Sequence, residues 1–454
     1  MSEERPNQFH PTPEQLALVE VRRLKKLAKM EKAKQEEEER SRILPREWLS
    51  IQPPAPDGVS VKIMSWNLLA QCLIRRELFP TSGDCLKAAQ REHMLFREIL
   101  SHKADICCLQ EVDRTERLFP VLEDAGYNFV YAAGPRKRHG CLVAFHKDVF
   151  STVRERTIFY DDQEVREAYD KLNTHGSSFR TRNICSLVAL QRAGRADTGV
   201  IVATTHLFWH PGYIYERARQ AGILLREAAK FRHELGKDHW PCVIAGASLL
   251  DFNFTPEDPV YSLLIGDSLL PEQRARLAPS RVVHVTIDPS VPVTTDKMMG
   301  DDVLIDEEEG AETDPDRIIT NAREAREEDG LLDDVELTKL FNDTGHVFSA
   351  YDRGLRSSEG VEELTYGSRV AMQPSRSGGY EPLWTSYTHY WKTVLDYIFV
   401  LEPVDRPVLV TGLAKPIFTA DLEPGLPQKG KCGSDHISLC AELSWPEPQP
   451  TPSS

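Results

Sequence analysis

The chain of 454 residues is 41% hydrophobic and 28% charged, with 26 Gly, 30 Pro and a formal net charge of -15. That apolar fraction buries a real core, so a wholly disordered chain is excluded and one large domain or two are expected. Nine cysteines without C-x-x-C spacing exclude a zinc or disulfide framework and read as buried thiols of a reducing compartment.

The opening MSEERPNQFHPTPEQ has no apolar h-region, and no stretch approaches the ~18 apolar residues of a membrane span. The expectation is an intracellular protein, cytoplasmic or nuclear, with no membrane partner. Thr12-Pro13-Glu14 supplies an N-cap, a first-position proline and a first-turn acid, predicting a helix that ends before Pro45. Within it Arg22, Arg23, Lys25, Lys26, Lys29, Lys32 and Lys34 face only Glu31. A solvated single helix is the plain reading, and an arm for RNA or a protein partner the sharper one.

Pro53 to Gly58 is a linker, so residues 1–60 form a charged helix followed by a Pro-rich connection. From Val61 the texture changes. VKIMSWNLLA, DICCLQEV, NFVYAAG, CLVAFHK, ICSLVALQ, GVIVATTHL, PCVIAG, LDYIFV and ISLCAELSW have strand length and β-rich content. Helical patterns intervene at Ala88 to His102 and Tyr215 to Leu235, predicting one α/β domain over 61–445 and a Pro/Ser tail at 446–454. Between Asp301 and Asp334 stand fifteen Asp or Glu against three Arg. Residues 287–379 around that run are therefore expected to be a solvated, disordered or lid-like insert. With most of the negative charge confined there, a polyanionic substrate stays compatible with the acidic total.

Polar residues recur at the ends of the predicted strands. Asn67 ends SWN, Glu111 follows LQ, His206 follows TT, Asp251 and Asn253 sit in DFN, Asp396 lies in LDYIFV, and Asp435-His436 end GSDH. Taken singly, such a residue is more often a turn former than a ligand. As an ordered set, SWN, LQE, THL, DFN, LDYIFV and SDH resemble the endonuclease/exonuclease/phosphatase superfamily. MSWNLLAQ, THLFWHP and YTHYWKTVLDYIFV resemble its nocturnin and carbon-catabolite-repressor deadenylase branch, fungal NGL-type RNA exonucleases included.

The resemblance implies a DNase I-like α/β fold, a two-sheet β-sandwich flanked by helices with the site at one edge. It implies Mg²⁺, with Mn²⁺ able to replace it, because phosphodiester hydrolysis needs a cation for the non-bridging oxygens, a base for water and donors for developing charge. Glu111 is the leading metal ligand, since a hard cation takes one or two carboxylates and keeps water and substrate oxygens for the rest. Asp435 matches a second acidic metal-side position, and Asn67 an amide completing the metal or phosphate environment. Asp251 matches the carboxylate that activates or orients water, with Asn253 donating to phosphate or holding that carboxylate. His436 is expected on the scissile phosphate with Asp396 fixing its tautomer, and His206 as a second histidine there. The family reads Gly-Asp-Phe-Asn unbroken, whereas Ala247 to Leu250 here separate Gly246 from Asp251. At about 3.3 Å per extended residue, four insertions either bulge outward or displace Asp251 by several ångströms.

Phe208, Trp209 and His210 beside His206, and Trp384, Tyr387 and Tyr390 before Asp396, suit either base stacking, roughly 1–3 kcal/mol per base, or core packing. Arg136, Lys137 and Arg138 form a basic loop suited to backbone phosphates. The resulting expectation is a metal-dependent 3′-to-5′ exonuclease of single-stranded RNA, releasing 5′-mononucleotides in deadenylation or rRNA 3′-end trimming; no motif is DNA-specific. Its rivals are a phosphatase of a nucleotide or other small phosphorylated metabolite, and a catalytically impaired RNA-binding protein.

Overall fold

Short apolar runs bounded by turn residues become the strands of two mixed sheets in a computed structural model that describes residues 12–166, 174–247, 254–293, 318–404 and 406–447. Helix α1 (Pro13–Arg40) starts at the indicated cap: the Gln15 N–H donates to Thr12 Oγ1, and the Thr12 N–H to Gln15 Oε1 at 2.9 Å. None of its residues is buried.

In chain order the strands are β1 (Trp48–Ser50), β2 (Gly58–Asn67), β3 (Ile106–Val112), β4 (Tyr127–Ala133) and β5 (Gly140–His146), then β6 (Phe150–Phe159), β7 (Ile184–Arg192), β8 (Gly199–His206) and β9 (Cys242–Ala247). They continue with β10 (Val282–His284), β11 (Ala322–Glu324), β12 (Phe348–Ser349), β13 (Ser386–Tyr387), β14 (Lys392–Thr393), β15 (Tyr397–Leu401), β16 (Leu409–Ala414) and β17 (Leu439–Pro446). The first sheet has the order β1-β16-β17-β2-β3-β5-β4, and the second β12-β15-β9-β8-β7-β6. Two short pairs, β10 with β11 and β13 with β14, stand apart from them.

Alternation along each strand divides the apolar residues between two faces. Val61, Ile63, Ile106, Cys108 and Val143 of the first sheet meet Val188, Val202, Val243 and Ile398 of the second in a buried layer. The opposite face of the first sheet, with Trp66, Cys107 and Leu109, is covered by α2 (Ala88–Ser101) and α3 (Thr115–Asp124). That of the second is covered by α4 (Ile214–Glu234), α5 (Pro259–Ile265), α6 (Pro271–Leu277) and α7 (Asp334–Asn342). Helix α8 (Ala350–Arg356) adds Tyr351 and Leu355 to the layer between the sheets, and α9 (Thr419–Leu422) is a single turn.

The expectation of an unstructured insert over 287–379 is corrected for residues 318–379. Leu337, Leu340 and Phe341 recur at helical spacing and are buried in the outer core through α7, and several acids of the run are paired. Arg323 binds Asp288 at 2.8 Å and Asp329 at 2.6 Å, and Arg281 binds Asp334 at 2.7 Å. The dense charge of the window concealed the apolar periodicity beside it. The most acidic part, 294–317, and the tail from 448 onward lie outside the described residues.

Candidate active site

Parallel pairing brings the first group of polar residues together. Strands β2 and β3 run side by side with Asn67 opposite Gln110, so their C-terminal ends put Asn67 next to Glu111. Strand β17 is antiparallel to β2, with Leu439 opposite Ser65, which returns Asp435 and His436 to the same end. In the second sheet β8 runs parallel to β9, with His206 opposite Ala247, and β15 antiparallel to β9, with Tyr397 opposite Gly246. Asp396 therefore lies at the matching end.

Glu111 is buried at 1% exposure in a β-bulge opposite β5, with φ 56°. The bulge re-aims its side chain across the strand ends, as bulges beside functional sites do. Asn67 Nδ2 donates to Glu111 Oε1, the Ala70 N–H donates to Oε2 at 2.8 Å, and the Leu69 N–H donates to Asn67 Oδ1 at 2.8 Å. Both ends of the Asn67 amide are thus engaged in supporting Glu111. Burial, and then the neighbouring Asp435, push the Glu111 carboxyl up to about 7, against the donors Ala70 and Asn67 and the charge of His436. Asp435 is raised by burial as well, opposed by His436 and Arg91.

A buried contact ties the two sheets together: His436 Nδ1–H donates to Asp396 Oδ2 at 2.8 Å and Oδ1 at 3.0 Å. Burial alone would lower the imidazole, but Asp396, Asp435 and Glu111 outweigh it and lift it to about 9. Among the described residues, the buried Asp435 Oδ2 and His436 Nε2 have no hydrogen-bond partner. A polar group left so is expected where a ligand completes it. His206 is half-buried and its imidazole is held well below 6.5, first by burial and then by the charges of His139, Lys137 and His436.

The donor set suits a hard divalent cation: two buried carboxylates, Glu111 raised by burial and Asp435, and Asp435 raised by burial and Asp396, with one oxygen without a partner and no thiolate among the residues gathered here. Among the described residues no three His, Cys, Asp or Glu side chains are placed to hold one metal ion together. A cation would rest on Glu111 and Asp435 and complete its shell with water and substrate oxygens, which is how Mg²⁺ is commonly held.

Several supporting residues carry no motif that would reveal them. Arg91 of α2 is 2% exposed. Its guanidinium donates to Gly433 O at 2.6 Å, Leu69 O at 2.6 Å, Gln71 Oε1 at 3.3 Å and Leu68 O, stapling the loop after β2 to the loop that carries Asp435. Thr385 Oγ1 accepts from the Leu395 and Asp396 N–H groups at 2.8 and 3.0 Å, while its carbonyl accepts from Ile437 at 2.7 Å, fixing Asp396 relative to His436. Ser434 Oγ donates to Asn67 O at 2.7 Å, and Gln110 Nε2 crosses the sheets to Thr204 Oγ1 at 3.0 Å. Replacing Arg91 with Met is expected to lower stability by about 3–5 kcal/mol, because several buried carbonyls lose a charged donor. Lys should not restore it, having no planar fork; urea midpoints of both variants check this.

Of the predicted residues, Asn67, Glu111, Asp396, Asp435 and His436 are interlinked, and His206 lies within reach of their charges. Asp251 and Asn253 fall in 248–253, outside the described residues; the flanking Phe254 stacks on Tyr397 at 4.9 Å. Lys137 donates to Asn183 Oδ1 at 3.0 Å and its charge reaches His206, while Arg136 and Arg138 are exposed on the same loop. The aromatic residues separate by environment. Phe208 packs on Phe179 at 4.7 Å in a buried cluster that half-covers Trp209, Tyr387 is fully buried, and Trp384 is half-buried against it. Tyr390 is 61% exposed.

A two-sheet sandwich with carboxylate, amide and imidazole groups at one end of both sheets is an arrangement suited to phosphoester hydrolysis. Residues 64–436 match the Endonuclease/Exonuclease/phosphatase family, and the chain belongs to it. It is 28% identical to the Schizosaccharomyces pombe protein named as a probable RNA exonuclease, across 95% of this chain and 88% of that one. To the RNA exonuclease NGL2 of Saccharomyces cerevisiae it is 26% identical, across 88% and 81%. Among solved structures, ANGEL2, described as a 2′,3′-cyclic phosphatase, matches with a TM-score of 0.54 at 19% identity, covering 88% of this chain and 99% of that one. The family resemblance read from the strand-end motifs and the expected sandwich both hold.

Proposed function

We propose that this protein is a Mg²⁺-dependent exonuclease that shortens single-stranded RNA from its 3′ end. The observation that carries the reading is the buried Glu111–Asp435 carboxylate pair beside the Asp396–His436 couple, with Asp435 Oδ2 and His436 Nε2 left for a ligand. The RNA preference is supported by the relatives' names.

Glu111 and Asp435 would hold Mg²⁺, which would supply charge neutralisation of the phosphate oxygens. Asn67 keeps Glu111 turned toward that position. Asp396 holds the proton on His436 Nδ1, so that Nε2–H of the imidazolium donates to the scissile phosphate as negative charge develops. His206, neutral at pH 7, adds a donor without a full charge. Asp251 is assigned the orientation of water and Asn253 its support, by the family pattern.

The test is the product pattern from a 5′-labelled single-stranded RNA ending in an A tract. A ladder receding from the 3′ end with Mg²⁺, and abolished by chelator, is expected. Intact RNA together with phosphate release from nucleotides would replace the reading by the small-phosphatase one; internal cuts would replace exonuclease by endonuclease.

A further inference from the structure

We propose that helix α1 is an arm that binds backbone phosphates of RNA away from the end being cut, through a stripe of cations made by Arg22, Lys25, Lys26 and Lys29. This deepens the RNA reading above and rests on it for the identity of the chain bound.

The stripe follows from spacing. Residues at i, i+3, i+4 and i+7 share one face of a helix, which is the spacing of 22, 25, 26 and 29, and Lys32 continues it. At 1.5 Å per residue the five cover about 15 Å of a helix about 42 Å long. All are exposed. Arg23 is paired with Glu20 at 2.8 Å and Lys32 with Glu36 at 3.8 Å, but Arg22, Lys25, Lys26 and Lys29 enter no ion pair among the described residues. Four adjacent like charges without a counter-charge are complementary to a polyanion.

The acids of α1 gather at its other end, Glu36 to Glu39, where the helix joins the body. His93 Nδ1 of α2 lies 2.8 Å from Glu37 Oε1, and Lys429 Nζ 3.8 Å from Glu39 Oε1. Just past the helix, the Leu44 N–H donates to Lys431 O at 2.9 Å. Carboxylates that would repel a phosphate chain are thus engaged at the joint, and the cations lie further out.

That joint is near the centre. Lys431 precedes Asp435 by four residues, at most about 14 Å of chain. His93 follows Arg91, the staple of the Asp435 loop, by two. From Glu37 the stripe runs from about 12 Å at Lys29 to about 22 Å at Arg22 along the helix axis. An RNA of many nucleotides with its 3′ end at Asp435 and His436 has phosphates at such a range. A dinucleotide has only the scissile one.

The opposite face argues against a lipid surface. Leu16, Leu24 and Leu27 are about half exposed there, but Glu20 and Glu31 stand on the same face, at i, i+4, i+8, i+11 and i+15 from Leu16. Two carboxylates within the apolar strip oppose its entry into acyl chains and its approach to anionic headgroups.

The experiment measures binding separately from cleavage. An oligoadenylate of about 25 nucleotides is titrated without divalent cation into the full-length E111Q protein and into E111Q carrying R22Q, K25Q, K26Q and K29Q, glutamine having a similar helix propensity. The four replacements are expected to weaken binding about thirtyfold and to flatten the dependence of log K on log salt by about 2.8, for four phosphates released. Binding of the dinucleotide ApA should not change, and the charge-keeping set R22K, K25R, K26R and K29R should retain the oligonucleotide affinity. Unchanged affinity and salt slope would overturn the proposal, as would an equal loss for ApA or a loss in the charge-keeping set. Capture by phosphatidylserine vesicles, lost in the glutamine variant while RNA binding stands, would replace RNA by a lipid surface. If wild-type protein leaves RNA intact while these cations still govern oligonucleotide binding, the exonuclease reading fails alone. If it shortens RNA and the cations are silent, the arm fails alone.

Discussion

Glu111→Gln is expected to reduce RNA hydrolysis by about 10³-fold, ~4 kcal/mol of barrier, with no loss of fold. Glutamine keeps the shape of the side chain and an oxygen for the Ala70 N–H, and removes the charge on which a cation depends. The same change has a second readout. Burial and Asp435 raise Glu111 from 4.5 to about 7, so without a cation the folded state binds a proton that the unfolded state releases between those values. Stability of the cation-free wild type therefore falls as pH rises through that window. On the proposed metal assignment Mg²⁺ would replace the proton, so its stabilising effect should be larger at pH 8 than at pH 5. E111Q should lose most of this response, and its melting temperature in chelator at pH 8 should be no lower than that of wild type. Thermal melts with Mg²⁺ or chelator at the two pH values test this; a large Mg²⁺ shift surviving in E111Q would remove Glu111 from the metal assignment.

Asp396→Asn should cost about 10²-fold in turnover at neutral pH, because an amide matches the hydrogen-bonding shape and cannot hold His436 as an imidazolium. The pH dependence gives the sign. His436 is raised from 6.5 to about 9 despite its burial, chiefly by Asp396, so its protonated form persists through neutral pH. Its contribution to stability is fully present below 6.5 and is lost as pH rises through 9. D396N should move the alkaline limb of the rate profile to lower pH, and should be destabilised more at pH 6 than at pH 10. Rate profiles and urea midpoints measured at matched pH separate this from a packing defect, which would be independent of pH.

The strand ends were the legible part of the molecule. Asn67, Glu111, His206, Asp396 and Asp435-His436 each interrupt a β-rich run, and the pairing of those runs sets all of them at one end. Strand β6 left no such mark, because it is a sheet edge whose Ser151 to Glu155 face solvent and read as a polar stretch. Helix α7 was hidden by the acids around it, although Leu337, Leu340 and Phe341 have the right spacing. Arg91 could not be read at all, since most of its partners are carbonyl oxygens brought close only by the folded chain. Whether an aromatic ring near the site packs or projects, as with Tyr387 against Tyr390, depends on neighbours that local sequence does not name.

The place of β17 bears on how the protein is made. It is the last described strand, yet it lies inside the first sheet between β16 and β2, and the loop before it carries Asp435 and His436. The bond from Ser434 Oγ to Asn67 O spans 367 positions. On a ribosome, Asn67 and Glu111 emerge long before their partners, with the central slot of the sheet still empty. A nascent chain consequently has no assembled centre until translation has passed β17.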